Sequence, residues 1–236
     1  MNFNTSIVIL SLCFLACVAE PTPAPPPVPE LNDSTGVARF LSLGDSYTIG
    51  ESVPENDRWS VQLAALLRKD GINVAPPEII ARTGWTTAEL ASAIEQANKP
   101  RHYQLVSLLI GVNNQYRGQS TERFRTEFKE LLTTSIAFAQ GRKQRVFVLS
   151  IPDWGVSPFG ANSDRAKIAR DIDAFNAVAK EECEAAGVLF IDITPLSRSG
   201  LNQADMFASD GLHFSGKMYG LWAREALPAV KALLSK

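Results

Sequence analysis

Phe40-Leu41-Ser42-Leu43-Gly44-Asp45-Ser46-Tyr47 is an apolar stretch that breaks abruptly into a polar cluster, and its reading decides the fold. Apolar runs of this length, bounded by turn residues, read as buried strands. Four more follow the one at Val37 to Leu43: Glu78 to Ala81, Leu105 to Ile110, Arg145 to Ile151 and Val188 to Ile193. Helical patterns fill the gaps, over Trp59 to Lys69, Thr86 to Asn98, Thr121 to Gln140 and Lys167 to Ala186, and a last helix runs from about Lys217 to the end. Gly71, Gly141 and Gly187 stand just past three of these helices, where a left-handed residue ends a helix at little cost. Thr86 with Glu89 has the spacing of a capping box. Strand and helix in alternation call for an α/β fold, a five-stranded parallel sheet with helices on both faces, formed by one domain over residues 37–236. In such folds ligands bind beyond the carboxyl ends of the strands.

Composition leaves few other classes open. The 236 residues are 45% hydrophobic and 20% charged, with a formal net charge of -2. That is enough apolar sequence for one large core, and the slight acidity gives no support for nucleic-acid binding, which needs clustered cations. Residues 1–19 read as a signal peptide, because the apolar run from Ile7 to Val18 is too short to span a bilayer and ends in small residues. Phe14-Leu15-Ala16-Cys17 resembles the lipobox of bacterial lipoproteins, which would make Cys17 a lipidated mature N-terminus and a membrane tether. Plain cleavage after Ala19 is the competing reading, and the sequence leaves both open. Residues 20–36 form a Pro-rich linker, with six prolines between Pro21 and Pro29 that favour an extended polyproline spacer. The expected location is outside the cytoplasm, at the cell envelope or secreted. Cys183 falls on the apolar stripe of its helix and is expected in the core.

The edge rule sorts the reactive side chains. Ser46 follows the first strand, and a serine hydroxyl is a weak nucleophile until a base takes its proton. The chain has two histidines. His102 precedes the third strand, at the wrong edge of the sheet, and reads as a solvated loop residue. His213 follows the fifth strand, at the productive edge, with Asp210 three residues before it to bind Nδ1-H and orient the ring. Two further loops at that edge carry donors suited to a developing oxyanion: Arg82-Thr83-Gly84-Trp85 and Gly111-Val112-Asn113-Asn114. Asp45, Trp85, Trp154 and Phe214 lie close to these segments and are expected to line the substrate pocket. The Gly-x-Ser-x-Gly turn of α/β-hydrolases is absent around Ser46, as are Walker and dinucleotide-binding loops and any set of metal ligands. No metal or cofactor is therefore expected.

Four segments together, Gly44-Asp45-Ser46, Gly84, Gly111-x-Asn113 and Asp210-Gly211-Leu212-His213, resemble the motifs of SGNH hydrolases of the GDSL esterase and lipase superfamily. The resemblance covers essentially Val37 to Lys236. Tyr47 replaces the commoner Leu, and Asn114 stands where Asp is usual. The resemblance implies a flavodoxin-like three-layer α/β/α fold. It also implies ester hydrolysis by Ser46, His213 and Asp210, with the Ser46 amide, the Gly84 amide and the Asn113 side chain as oxyanion donors. Small esters, acetylated glycans and lysophospholipids are the substrate classes in view, and a non-catalytic envelope binding module is the rival. Oligomeric state has no signature in the sequence.

Overall fold

The computed structural model describes Met1 and residues 36–99 and 102–235. The expected signal peptide, Cys17 and almost all of the linker lie outside the described residues. From residue 36 onward the chain alternates strand and helix. The strands are β1 (Phe40–Gly44), β2 (Glu78–Ala81), β3 (Leu105–Leu109), β4 (Val146–Leu149) and β5 (Leu189–Ile191). The helices are α1 (Ser46–Ile49), α2 (Trp59–Lys69), α3 (Thr87–Ala97), α4 (Val112–Tyr116), α5 (Thr121–Phe138), α6 (Arg165–Ala186), α7 (Thr194–Ser199) and α8 (Gly216–Leu234).

All pairings are parallel, in the order β2-β1-β3-β4-β5. Every residue of β1, β3 and β4 is buried, whereas the edge strands β2 and β5 are only partly so. This explains why the central strands read as unbroken apolar runs rather than as alternations. Helices α2 and α8 pack against each other, and α5 packs against both α3 and α6. The result is the three-layer sandwich of the flavodoxin type, whose strand order reverses between β1 and β3.

The largest fully buried side chains are aromatic. Trp59 of α2 meets Phe147 of β4 edge-on at 6.2 Å between ring centroids, and Tyr219 and Trp222 of α8 meet at 5.0 Å. Cys183 is fully buried, and loss of hydration pushes its thiol up to about 12, so it serves as a core residue. At the amino edge His102 is half-buried rather than solvated. It hydrogen-bonds to the Arg39 guanidinium and stacks on Tyr103, with an interplanar angle of 16°.

Registry sets the working edge. Gly44 of β1 lies level with Ala81 of β2 and with Leu109 of β3, so these three strands end together. The loops that follow them start from one line. A side chain on Gly44 would collide with Thr48 and with the Leu109 carbonyl oxygen, so the sharp turn from β1 into α1 requires glycine there.

Candidate active site

Ser46 is the first residue of α1, so its amide is one of the free donors of a helical first turn. Asp45 caps that turn: its Oδ1 accepts from the Tyr47 amide at 3.0 Å. Tyr47 is buried, with its ring 5.8 Å from His213, 5.7 Å from Phe214 and 6.1 Å from Trp222. Its place after Ser46 is thus a packing position, in which an aromatic ring substitutes for an aliphatic side chain.

His213 is held from the other end of the chain. The segment before α8 turns at Gly211, and its flanks are fixed by Ala208 N donating to His213 O at 2.8 Å and by a bridge between Phe207 and Phe214. Inside that turn the Asp210 carboxylate is crowded with donors. Oδ1 accepts from the Leu212 and His213 amides, both at 2.9 Å, and Oδ2 accepts from His213 Nδ1 at 2.6 Å and from Ser52 Oγ at 2.7 Å. Partial burial disfavours its charge, but the bonds from His213, Leu212 and Ser52 outweigh burial and hold the carboxyl far below the usual range. Ionised near neutral pH, Asp210 fixes the imidazole with Nδ1 as donor and leaves Nε2 free, on a ring that lines the cavity.

Ser46, Gly84, Asn113 and His213 line one cavity of about 170 Å³, with Tyr47, Thr83, Val112, Tyr116, Trp154 and Leu212 completing it. Residues expected together from four distant segments are therefore brought together. Among the described hydrogen bonds none joins Ser46 to His213, a contact that commonly tightens only when substrate is bound. Gly84 adopts φ +87, and its carbonyl accepts from Arg117 Nη2 at 2.6 Å, which fixes the orientation of the loop after β2. Asn113 Nδ2 donates to the Trp85 carbonyl at 2.9 Å, and its second N–H remains for the cavity.

Asn114, the departure from the usual aspartate, has a structural explanation. It is fully buried, its Oδ1 accepts from the Thr87 amide at 3.1 Å, and its Nδ2 donates to Thr87 Oγ1 at 2.6 Å and Gln119 Oε1 at 2.8 Å. A carboxylate could only accept, whereas the amide both donates and accepts. Asn114 therefore ties α4 to the start of α3, and Asn113 follows from that anchorage.

Of the expected pocket residues, Trp154 lines the cavity and the other three do not. Asp45 is fully buried beneath α1, where loss of hydration raises its carboxyl to about 7 against the pull of the Tyr47 amide, and its Oδ2 has no hydrogen-bond partner among the described residues. Phe214 is fully buried in the aromatic core beside Phe207, Tyr47 and Trp222. Trp85 packs its ring against the core and contributes its backbone carbonyl to Asn113. Nearness in sequence misled in each case, because neighbours along a loop point to opposite sides of it. Three residues near the site carried no sequence signal: Ser52, Arg117 and the exposed Tyr116. Among the described residues no group of three His, Cys, Asp or Glu side chains could hold a metal ion.

The sequence pattern of the GDSL-like lipase/acylhydrolase family matches residues 42–221. The chain belongs to this family, and with it to the SGNH/GDSL-type esterases. No curated protein matches it in sequence. Solved structures share its fold at low identity. A protein named TesA superposes with a TM-score of 0.64 at 18% identity, over 83% of this chain and 99% of that one. A lipase/acylhydrolase from Enterococcus faecalis gives 0.64 at 20% identity, over 83% and 96% of the two chains. An acetylxylan esterase from Geobacillus stearothermophilus gives 0.64 at 18%, over 82% and 94%.

Proposed function

We propose that the protein hydrolyses carboxylic esters of short acyl groups through an acyl-enzyme on Ser46. The observation that carries this reading is the cavity shared by Ser46, His213, Gly84 and Asn113, with His213 Nδ1 2.6 Å from the ionised Asp210. His213 Nε2 takes the Ser46 hydroxyl proton as Oγ bonds to the ester carbonyl carbon. The carbonyl oxygen gains the negative charge, which the Ser46 and Gly84 amides and Asn113 Nδ2 receive. Collapse of this adduct breaks the bond to the alkoxy oxygen, and His213 returns the proton to it, releasing the alcohol. Water then attacks the acyl-serine by the same route in reverse, regenerating Ser46 and releasing the acid. Asp210 stays ionised throughout and stabilises the imidazolium.

The cavity volume of about 170 Å³ supports a small acyl group. Pockets for drug-sized ligands run to about 300–1,000 Å³. A fluorophosphonate should label the protein and fail to label Ser46→Ala, and hydrolysis of p-nitrophenyl acetate or butyrate should exceed that of the dodecanoate at least tenfold. Labelling that survives the substitution would move the nucleophile to another residue, and no ester turnover alongside tight ester binding would replace this reading with that of a binding module.

A second observation favours an acetylated glycan as the natural substrate. A groove of about 510 Å³ shares Tyr116 and Trp154 with the cavity and continues past Gln115, Gln119, Lys167 and Asp171. The exposed Tyr116 ring beside the polar side chains of Gln119, Lys167 and Asp171 suits a sugar alcohol better than a lipid chain. The acetylxylan esterase among the structural neighbours is in keeping with this choice. Acetylated xylo-oligosaccharides should then be deacetylated with a higher kcat/KM than p-nitrophenyl acetate, and the reverse ranking would remove the glycan reading while leaving the esterase.

The leader supports export, with Cys17 as the site of lipid attachment. Cys17→Ser should release the protein from the membrane fraction. Unchanged fractionation, with a mature N-terminus at Glu20, would favour simple cleavage after Ala19.

A further inference from the structure

We propose that Ser52 is a positioning residue of the hydrolytic site, whose hydroxyl holds the Asp210 carboxylate at the rotation that presents Oδ2 to His213. The proposal rests on the esterase reading above. Three of the four donors on Asp210 come from the turn it belongs to, the Leu212 amide and two nitrogens of His213. The fourth, Ser52 Oγ at 2.7 Å, comes from 158 residues away. Four donors occupy the roughly four acceptor directions of an ionised carboxylate, so Ser52 completes the set and blocks rotation about the carboxylate axis.

Ser52 also belongs to the nucleophile's own loop. The amides of Gly50 and Glu51 both donate to the Ser46 carbonyl at 3.0 Å, so the chain folds back on α1 directly before Ser52. The Ser52 hydroxyl therefore joins the turn carrying the base to the turn carrying the nucleophile. Its neighbour Glu51 accepts a hydrogen bond from Thr83, beside Gly84, which links the same loop to the oxyanion side. Ser52 holds φ at +62, in the left-handed region that favours glycine. Glycine would relieve this backbone strain but would remove the bond to Asp210.

These features define the test. Ser52→Gly removes the hydroxyl and suits the backbone, and Ser52→Asn suits it nearly as well while restoring an N–H donor. Both are compared with wild type in kcat and KM for p-nitrophenyl acetate across pH 5 to 9, and in the low-field proton resonance of His213 Nδ1–H without substrate. Because the bond is exposed to solvent, the expected loss in Ser52→Gly is moderate: kcat falls about tenfold with KM within about twofold. Freed of that restraint, the carboxylate rotates and the bond from His213 Nδ1 to Oδ2 weakens. The acid limb of the pH profile then moves to lower pH, and the Nδ1 proton resonance moves upfield. Ser52→Asn recovers part of all three. An unmoved resonance and acid limb in Ser52→Gly overturn the proposal, whether or not kcat falls. The resonance needs no turnover, so failure of Ser52 and failure of the esterase reading, tested by Ser46→Ala, are told apart.

Discussion

Asp45 and Asp210 each stand within three residues of a reactive side chain, and their surroundings drive them in opposite directions. Asp45 is fully buried with one oxygen on the Tyr47 amide and the other unpartnered, and its carboxyl rises to about 7. Asp210 is partly exposed and accepts from four donors, and its carboxyl falls far below the ordinary range. Proximity to the proposed nucleophile or base therefore assigns no role by itself. Donor count and hydration do: Asp210 is an ion that can orient and stabilise imidazolium, and Asp45 is a cap that holds α1 in place.

The sharpest way to break this contrast is to exchange each carboxylate for its amide. Asp210→Asn presents an N–H or a weaker acceptor to His213 and favours the wrong tautomer, so kcat should fall about 10³- to 10⁴-fold. Asp45→Asn keeps an acceptor for Tyr47 and does not reach substrate, so kcat should stay within about threefold. Similar losses in the two variants, measured on one ester, would erase the distinction. Asp210→Glu keeps the charge and displaces it by one methylene. Misplacement of that order costs up to about 10²-fold, so kcat should fall between those of the two amides. A loss as deep as that of Asp210→Asn would mean that placement, not charge, is all that matters.

The smallest effect is on stability. The folded Asp45 carboxyl lies above its unfolded value, so its contribution is greatest below about pH 4 and is lost as pH rises toward 7. For Asp210 the sign is reversed, because its folded value is depressed. Its contribution is present above about pH 4 and is lost as pH falls below it. Melting temperatures should therefore show Asp45→Asn gaining on wild type between pH 4 and 7, and the deficit of Asp210→Asn against wild type narrowing as pH falls below about 4. Parallel curves for all three proteins would contradict the assigned charge states.

Much of this contrast was hidden in the sequence, although the frame was not. Trp59–Lys69 and Glu78–Ala81 have the bounds their patterns predict, because a long amphipathic helix and an apolar run between turns leave little choice. The helices α1, α4 and α7, of four, five and six residues, are too short to display a period and were not foreseen. Candidate site residues were legible where a loop must leave a strand's carboxyl end. Side-chain direction was not, which is why Phe214 and Asp45 were expected in a pocket from which they are buried. Ser52 was beyond reach for another reason: its partner lies 158 residues away, and nothing local marks a left-handed serine.

The proposed reaction requires that Ser46, Gly84, Asn113 and His213 act as one reacting centre. A crystal structure of the protein after reaction with an alkyl fluorophosphonate tests it most directly. A phosphorus–oxygen bond to Ser46 Oγ is expected. The phosphoryl oxygen should lie within about 2.7–3.1 Å of the Ser46 and Gly84 amides and Asn113 Nδ2, with His213 Nε2 facing the alkoxy group. An adduct on another residue, or a phosphoryl oxygen turned away from Gly84 and Asn113, would contradict it.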